Sequence, residues 1–208
     1  MLRPDQIADT YPLTPLQEGM LYHEREGSSG VAYFEQFTFT IKGEIDVDQF
    51  VSSWNEVIRR HPALRTIFAF QKAARPMQLV LKTWEAQPEV LDWTEKDPSE
   101  LDSSAEQLKQ NDRERPFALN QEPPLRWTIV SLPEQQSLIL WSHHHIVLDG
   151  WSGGIVLREV LDVYKKKCAG RPVEWKPPPS FKSFIEWLEQ SDSSAALAHW
   201  DHAFSELD

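Results

Sequence analysis

An α+β fold, in which a mixed sheet is packed by helices, follows from how apolar residues recur along this chain. Runs of two-residue alternation and runs of helical spacing intersperse without the regular βαβ rhythm of a parallel sheet. The 208 residues are 40% hydrophobic and 11% aromatic, enough for a core, which argues against wholesale disorder.

Taken in order, Leu13 to Arg25 has the signs of a first helix: Thr14 can cap it, Pro15 suits its first position and Glu18 can close a capping box. GSSG, residues 27–30, punctuates the chain. In AYFEQFTFTIKG, Phe37, Phe39 and Ile41 alternate with Gln36, Thr38 and Thr40, as a strand requires. Val47, Phe50, Val51, Trp54, Val57 and Ile58 then repeat at helical spacing, with Asp46 as cap and Pro62 as terminator. LRTIFAF and PMQLVLKTW read as strands around a QKAARP turn. A surface helix is expected over SSAEQLKQNDRER, and a hairpin joins PLRWTIVSL to SLILWSHHHI across PEQQ. GGIVLREVLDVYKKK is an amphipathic helix with lysines in its last turn and Gly170 as its stop. A proline-rich connector, RPVEWKPPPS, leads to two final helical patterns, SFKSFIEWLEQ and SAALAHWDHAFSEL. Ending there, the chain reads as one meant to continue.

The formal net charge of −11 argues against nucleic acid or an anionic membrane as the main partner. Cys168 is the only cysteine, which excludes an intrachain disulfide and suggests a reducing compartment. With no apolar leader at the N-terminus and no stretch of transmembrane length, a soluble, cytoplasmic protein is expected.

The chemistry concentrates in SHHHIVLDGWS, Ser142 to Ser152. If the strand persists to residue 145, His143 and His145 share a face with Ile139 and Trp141, and His144 lies opposite. Asp149 and Gly150 then form the turn into the next helix, where a carboxylate is favoured. These histidines either finish a strand or serve as a proton-transfer group at a strand-to-helix junction. A metal site is disfavoured, because Val147 and Leu148 stand where a His-x-His-x-Asp-His site needs Asp and His, and no metal is expected. No nucleophile elbow, Walker loop or dinucleotide loop is present. The tryptophans and the Lys165–Lys167 run read as core, surface contact and solvated helix end.

HHIVLDGWS, His144 to Ser152, resembles the HHxxxDG signature of the condensation domains of nonribosomal peptide synthetases. A shorter HxxxD form is shared by chloramphenicol acetyltransferase and carnitine acyltransferase relatives. Other segments are similar in order: YPLTPLQEGMLYH to the first motif, RHPALRTIF to the second, and RPFALNQEPPLRWTIV to the stretch before the third. FKSFIEWL resembles a degenerate fourth, with Phe181, Ser183 and Phe184 in place of Tyr, Asp and Tyr. The likeness covers about residues 9 to 205.

This resemblance implies a chloramphenicol-acetyltransferase-like lobe over residues 1–175, with a linker and helices over 176–208 leading toward a C-terminal lobe. It implies amide formation between a donor acyl or peptidyl thioester and an acceptor aminoacyl thioester. Both would be carried as phosphopantetheine thioesters on carrier proteins beside an adenylation domain, with no tightly bound cofactor. His145 would orient or deprotonate the attacking amine, or stabilise the tetrahedral intermediate, and His144 would be structural. Asp149 would pair with Arg65 of the second motif, and Gly150 would leave room for the thioester. His143, Trp151 and Ser152 are candidate tunnel-lining residues. Condensation domains are about twice this length, so half the tunnel would be missing and the lobe alone is expected to condense nothing. A free-standing coenzyme-A-dependent acyltransferase and a non-catalytic carrier-protein docking lobe are the rival readings.

Overall fold

Two sheets and six α-helices result from these patterns, in a computed structural model that describes residues 3–25, 32–70, 75–192 and 194–205. The chain divides into two compact units, residues 1–178 and 179–208. GSSG and most of the QKAARP turn lie outside the described residues.

The larger unit holds a four-stranded sheet in the order β2-β7-β6-β5: β2 (Phe34–Lys42), β5 (Glu89–Asp92), β6 (Leu125–Leu132) and β7 (Gln136–His144). The expected β6–β7 hairpin forms, and Glu134 and Gln135 turn it with φ of 56° and 54°, the left-handed conformation that matches strand twist. Cross-strand alignment sets Trp141 beside Phe37 and Trp127, and Ile139 beside Phe39 and Ile129. Helices α2 (Val47–Arg60) and α4 (Gly150–Cys168) share one core cluster with this face. Phe50, Trp54, Val57 and Ile58 from α2 and Val156, Val160 and Val163 from α4 are buried in it. Trp54 lies 4.3 Å from Trp127 and 5.2 Å from Trp141, ring centre to ring centre, which accounts for three of the tryptophans as core.

Asp46 caps α2 by accepting from the Gln49 N–H at 2.9 Å, as its position predicts. Gly170, with φ of +63°, ends α4 by donating to the Lys167 carbonyl while Arg171 donates to Lys166. Within α4, Gly154 is exposed and a Cβ there would meet nothing within 4 Å. Gly154→Ala is therefore expected to stabilise the unit by about 1 kcal/mol through helix propensity. Thermal unfolding should register this as a rise of roughly 2–4 °C.

Opposite the α2/α4 face, Gln36, Ser142 and Arg126 stand abreast and converge on Asp112 of α3 (Pro98–Arg113). Asp112 is 3% exposed. Its carboxylate accepts from Gln36 Nε2 at 2.8 Å, from the Ser142 hydroxyl, and from Arg126 Nε; Arg115 adds a contact at 3.4 Å. Burial alone would raise the Asp112 pKa, but hydrogen bonds from Ser142, Arg126 and Gln36 outweigh it, and the carboxyl is held below its ordinary range. The helix begins at Pro98 behind an Asp97 cap, five residues earlier than the surface pattern suggests.

The other sheet has the order β1-β4-β3, with β1 (Ile7–Pro12), β3 (Thr66–Ala69) and β4 (Met77–Leu81) all antiparallel. Neither β1 nor β5 follows from the sequence reading, because each is short and mixes polar with apolar residues. Helix α1 (Pro15–Arg25) sets Met20 and Leu21 in a second core cluster with Leu13, Phe68, Leu119 and Ile146. Its capping box is closed by Gln17, not Glu18: Thr14 Oγ1 accepts from the Gln17 N–H, and Gln17 Oε1 accepts from the Thr14 N–H at 3.0 Å.

In the smaller unit, α5 (Phe181–Gln190) is capped by Ser180 and carries Phe181, Phe184 and Trp187 in a row with ring centres 5.8 Å apart. Helix α6 (Ser194–Ser205) exposes Leu197, Trp200 and Phe204 at helical spacing.

Candidate active site at the end of β7

The loop that follows β7 is anchored by its apolar residues. Ile146 is buried in the α1 cluster and Leu148 in the α2/α4 cluster, while His145 before them and Asp149 after them are more exposed. Burying each such aliphatic side chain contributes roughly 1.5–3 kcal/mol, so the loop has two hydrophobic pins. Its backbone is fixed as well: the His145 N–H donates to the Tyr33 carbonyl at 2.8 Å, and Gln17 Nε2 donates to the Ile146 carbonyl at 3.0 Å. Gln17 is itself locked by reciprocal amide hydrogen bonds with the buried Gln78 of β4. Neither glutamine stands out in the sequence as a site residue, although Gln17 lies in the YPLTPLQEGMLYH segment. An internal amide so close to a motif is the signal that could have marked it.

The three histidines separate by environment. His143 is 2% exposed, stacks on Phe37 with ring planes 9° apart and packs against Trp141. It does not line a cleft, contrary to its expected place in a tunnel wall, because the strand turns it into the aromatic layer beneath α4. Burial first, then His145 and His144, lower its pKa to about 4, so it is neutral at physiological pH. His144, on the opposite face, is equally buried, and its Nδ1 accepts the Ile146 N–H at 3.0 Å. That bond shapes the turn from the side chain of the strand's last residue. His145 keeps a side chain 33% exposed, while its Nδ1 is buried and has no hydrogen-bond partner. Nε2 is thus the ring nitrogen open to the outside.

Asp149 is the N-cap of α4: its Oδ1 accepts the Ser152 N–H at 2.7 Å. Hydrogen bonds from the Ser152 backbone and then its side chain hold the Asp149 carboxyl below its usual range, helped by His145 and opposed by burial. The expected ion pair between Asp149 and Arg65 is not formed. Arg65, in the 3-10 turn immediately before β3, donates Nη1 to the Leu81 carbonyl of β4, and its buried Nε is unpartnered. Burial lowers its pKa, opposed by Tyr11, and Asp149 plays no part in the balance. The carboxylate is already engaged by the helix N-terminus, and the guanidinium by a strand end. A Cβ at Gly150 would meet nothing within 4 Å, so open space lies over the turn. Trp151 is 87% exposed on the first turn of α4, and Ser152 is half-buried beside it. Among the described residues no three His, Cys, Asp or Glu side chains converge to hold a metal, and no helix is long and apolar enough to cross a membrane.

The fold and the signature loop together match a single class. The condensation domain family matches residues 7–208, and this chain belongs to that family. It is 39% identical over 195 residues to a linear gramicidin synthase of Brevibacillus parabrevis, covering 94% of this chain and 4% of that protein. It is 35% identical over 205 residues to a plipastatin synthase of Bacillus subtilis (strain 168), covering 99% of this chain and 6% of that protein. Among solved structures, the starter condensation domain of rhizomide synthetase superposes with a TM-score of 0.79 at 24% identity, over 95% of this chain and 49% of that one. The first condensation domain of the calcium-dependent antibiotic synthetase, in complex with a substrate analogue, gives a TM-score of 0.82 at 17% identity, over 97% of this chain and 50% of that one. The fold is therefore that of the condensation domain's chloramphenicol-acetyltransferase-like lobe, and the chain spans about half the length of those solved domains and a small part of the synthetases.

Proposed function

We propose that this chain is the N-terminal lobe of a condensation domain that joins a donor acyl or peptidyl thioester to an acceptor aminoacyl thioester, with His145 at the reacting centre. The observation that carries this reading is the open Nε2 of His145, presented by the HHIVLDG loop while its two neighbouring histidines are buried. In the proposed step the acceptor amine forms a bond to the donor carbonyl carbon, its proton passes to Nε2 and from there to the sulfur as the carbon–sulfur bond breaks, and the donor carrier's thiol is released. A thioester is already activated, so positioning and modest base assistance suffice. The first turn of α4 offers backbone N–H groups beside the Ser152 N–H that Asp149 already holds, where the carbonyl oxygen gains charge, and Gly150 leaves that approach unobstructed.

Both substrates would arrive on phosphopantetheine arms of carrier proteins, one on each side, next to an adenylation domain. A C-terminal lobe would supply the facing wall. The test uses two carrier proteins, one loaded with an acyl-aminoacyl donor and one with an aminoacyl acceptor. Product on the acceptor carrier is expected when the chain is joined to a C-terminal lobe and absent with this chain alone. Transfer by this chain alone would overturn the half-tunnel reading.

A further inference from the structure

A working base needs a bare nitrogen toward the substrate, and so the proton of neutral imidazole must sit on the other nitrogen. For His145 that other nitrogen is Nδ1, which is buried and lacks a hydrogen-bond partner. An unpartnered buried N–H is costly, which by itself would drive the proton to Nε2 and leave the open side without a lone pair. One carboxylate is placed to prevent this. Glu35 lies on β2 directly across from His143, so its side chain leaves the sheet on the face of His143, and β7 ends one residue later, at His144, where the chain turns. Its Oε1 stands 3.6 Å from His145 Nδ1. The hydrogen bond between the His145 N–H and the Tyr33 carbonyl ties the ring's own backbone to the chain two residues before Glu35. A closure of about half an ångström brings the pair to ordinary hydrogen-bond length, a tightening that catalytic pairs commonly make on binding substrate.

Other groups facing His145 do not compete for this role. His143 is neutral and stacked in the aromatic layer. Asp149 adds its field, but its Oδ1 is held by the Ser152 N–H. Glu35 is the carboxylate within 4.0 Å of the His145 ring nitrogens among the described residues.

We propose that Glu35 is a positioning residue that accepts the Nδ1–H of His145 and thereby keeps Nε2 bare toward the reacting amine. The proposal rests on His145 as the working residue, but its test does not use turnover. Ring nitrogens of ¹⁵N-histidine-labelled chain report which nitrogen carries the proton, and the His145→Ala spectrum assigns the signals. In the native chain above the histidine titration range, Nδ1 is expected to be protonated and Nε2 bare. Glu35→Ala should move the proton toward Nε2, changing the ratio of the two forms about tenfold, what one charge-assisted hydrogen bond supports. Glu35→Gln should restore the native pattern, because its amide oxygen also accepts. If the Ala variant fails to give a native backbone spectrum, Glu35→Thr, which suits a strand but cannot reach the ring, is expected to show the same change. An unchanged proton position in either variant overturns the proposal. Loss of the tautomer preference together with undiminished amide formation by the two-lobed His145→Ala enzyme would leave Glu35's hold on the ring standing and remove the base role of His145 instead.

Discussion

Replacing His145 with alanine in the two-lobed enzyme is expected to lower the rate of amide formation by about 10²–10⁴-fold, the range a positioned acid–base group supplies. The loss should fall on the rate constant and leave the half-saturating concentration of loaded carriers nearly unchanged, since the ring meets the amine only as it reacts. Its backbone N–H would still donate to Tyr33, and Ile146 and Leu148 would still pin the loop, so the fold should persist. Single-turnover assays with preloaded carriers measure the effect. A decrease of less than about threefold would mean that orientation and the helix end do the chemistry, and that the ring is dispensable. His144→Ala makes the useful contrast. It removes the Nδ1 acceptor of the Ile146 N–H from a buried position, so it should lower stability as well as rate.

The largest effect on folding is expected from Asp112→Ala, about 2–4 kcal/mol, because Arg126 keeps only its backbone acceptors, the Asp112 and Arg115 carbonyls, while Gln36 and Ser142 lose their shared acceptor. Against a total stability of roughly 5–15 kcal/mol, that takes much of the margin, and urea unfolding should show it as a lowered midpoint. The pH dependence has a definite sign. The folded carboxyl titrates below its unfolded value, so its contribution is complete above the unfolded carboxylate range, near 3.9, and is lost as pH falls through the folded value. Asp112→Asn should flatten the dependence of unfolding free energy on pH below the unfolded carboxylate value. An equally steep acid limb in that variant would show that other carboxylates govern acid unfolding.

What could be read from the sequence depended on distance along the chain. Elements signalled by their own residues appear where the pattern puts them: the Asp46 cap, the Gly170 stop, the alternation of β2 and the β6–β7 hairpin. The histidine loop was legible because its motif is contiguous. β5 escaped because Glu89–Asp92 is a four-residue edge strand pairing in parallel with β6, and its alternation is too brief to see. β1 escaped because Pro12 and polar neighbours disguise a strand whose partner, β4, lies far along the chain. The same distance hid Glu35: alternation sorts β2 into two faces, but only the register of β2 against β7 reveals that residue 35 stands opposite 143. The Arg65–Asp149 pair illustrates the converse, since charge complementarity and motif position say nothing of partners already taken by a helix N-terminus and a strand carbonyl.

Pairing of β2 with β7 joins Phe34 to His144 and Lys42 to Gln136, positions roughly a hundred residues apart. On the ribosome, β2 emerges well before any partner for it exists. At about 5–20 residues per second, several seconds pass before β7 leaves the exit tunnel. During that interval Phe39 and Ile41 are carried on an unpaired strand, and of the two helices that cover them only α2 has been made. The interior position of β7 therefore places the last strand of the sheet to be synthesised at the point where the sheet closes, so the histidine loop is built in the same step that completes the sheet. A nascent chain arrested before residue 136 should bind a holdase chaperone, and one extended past the end of α4 should escape it.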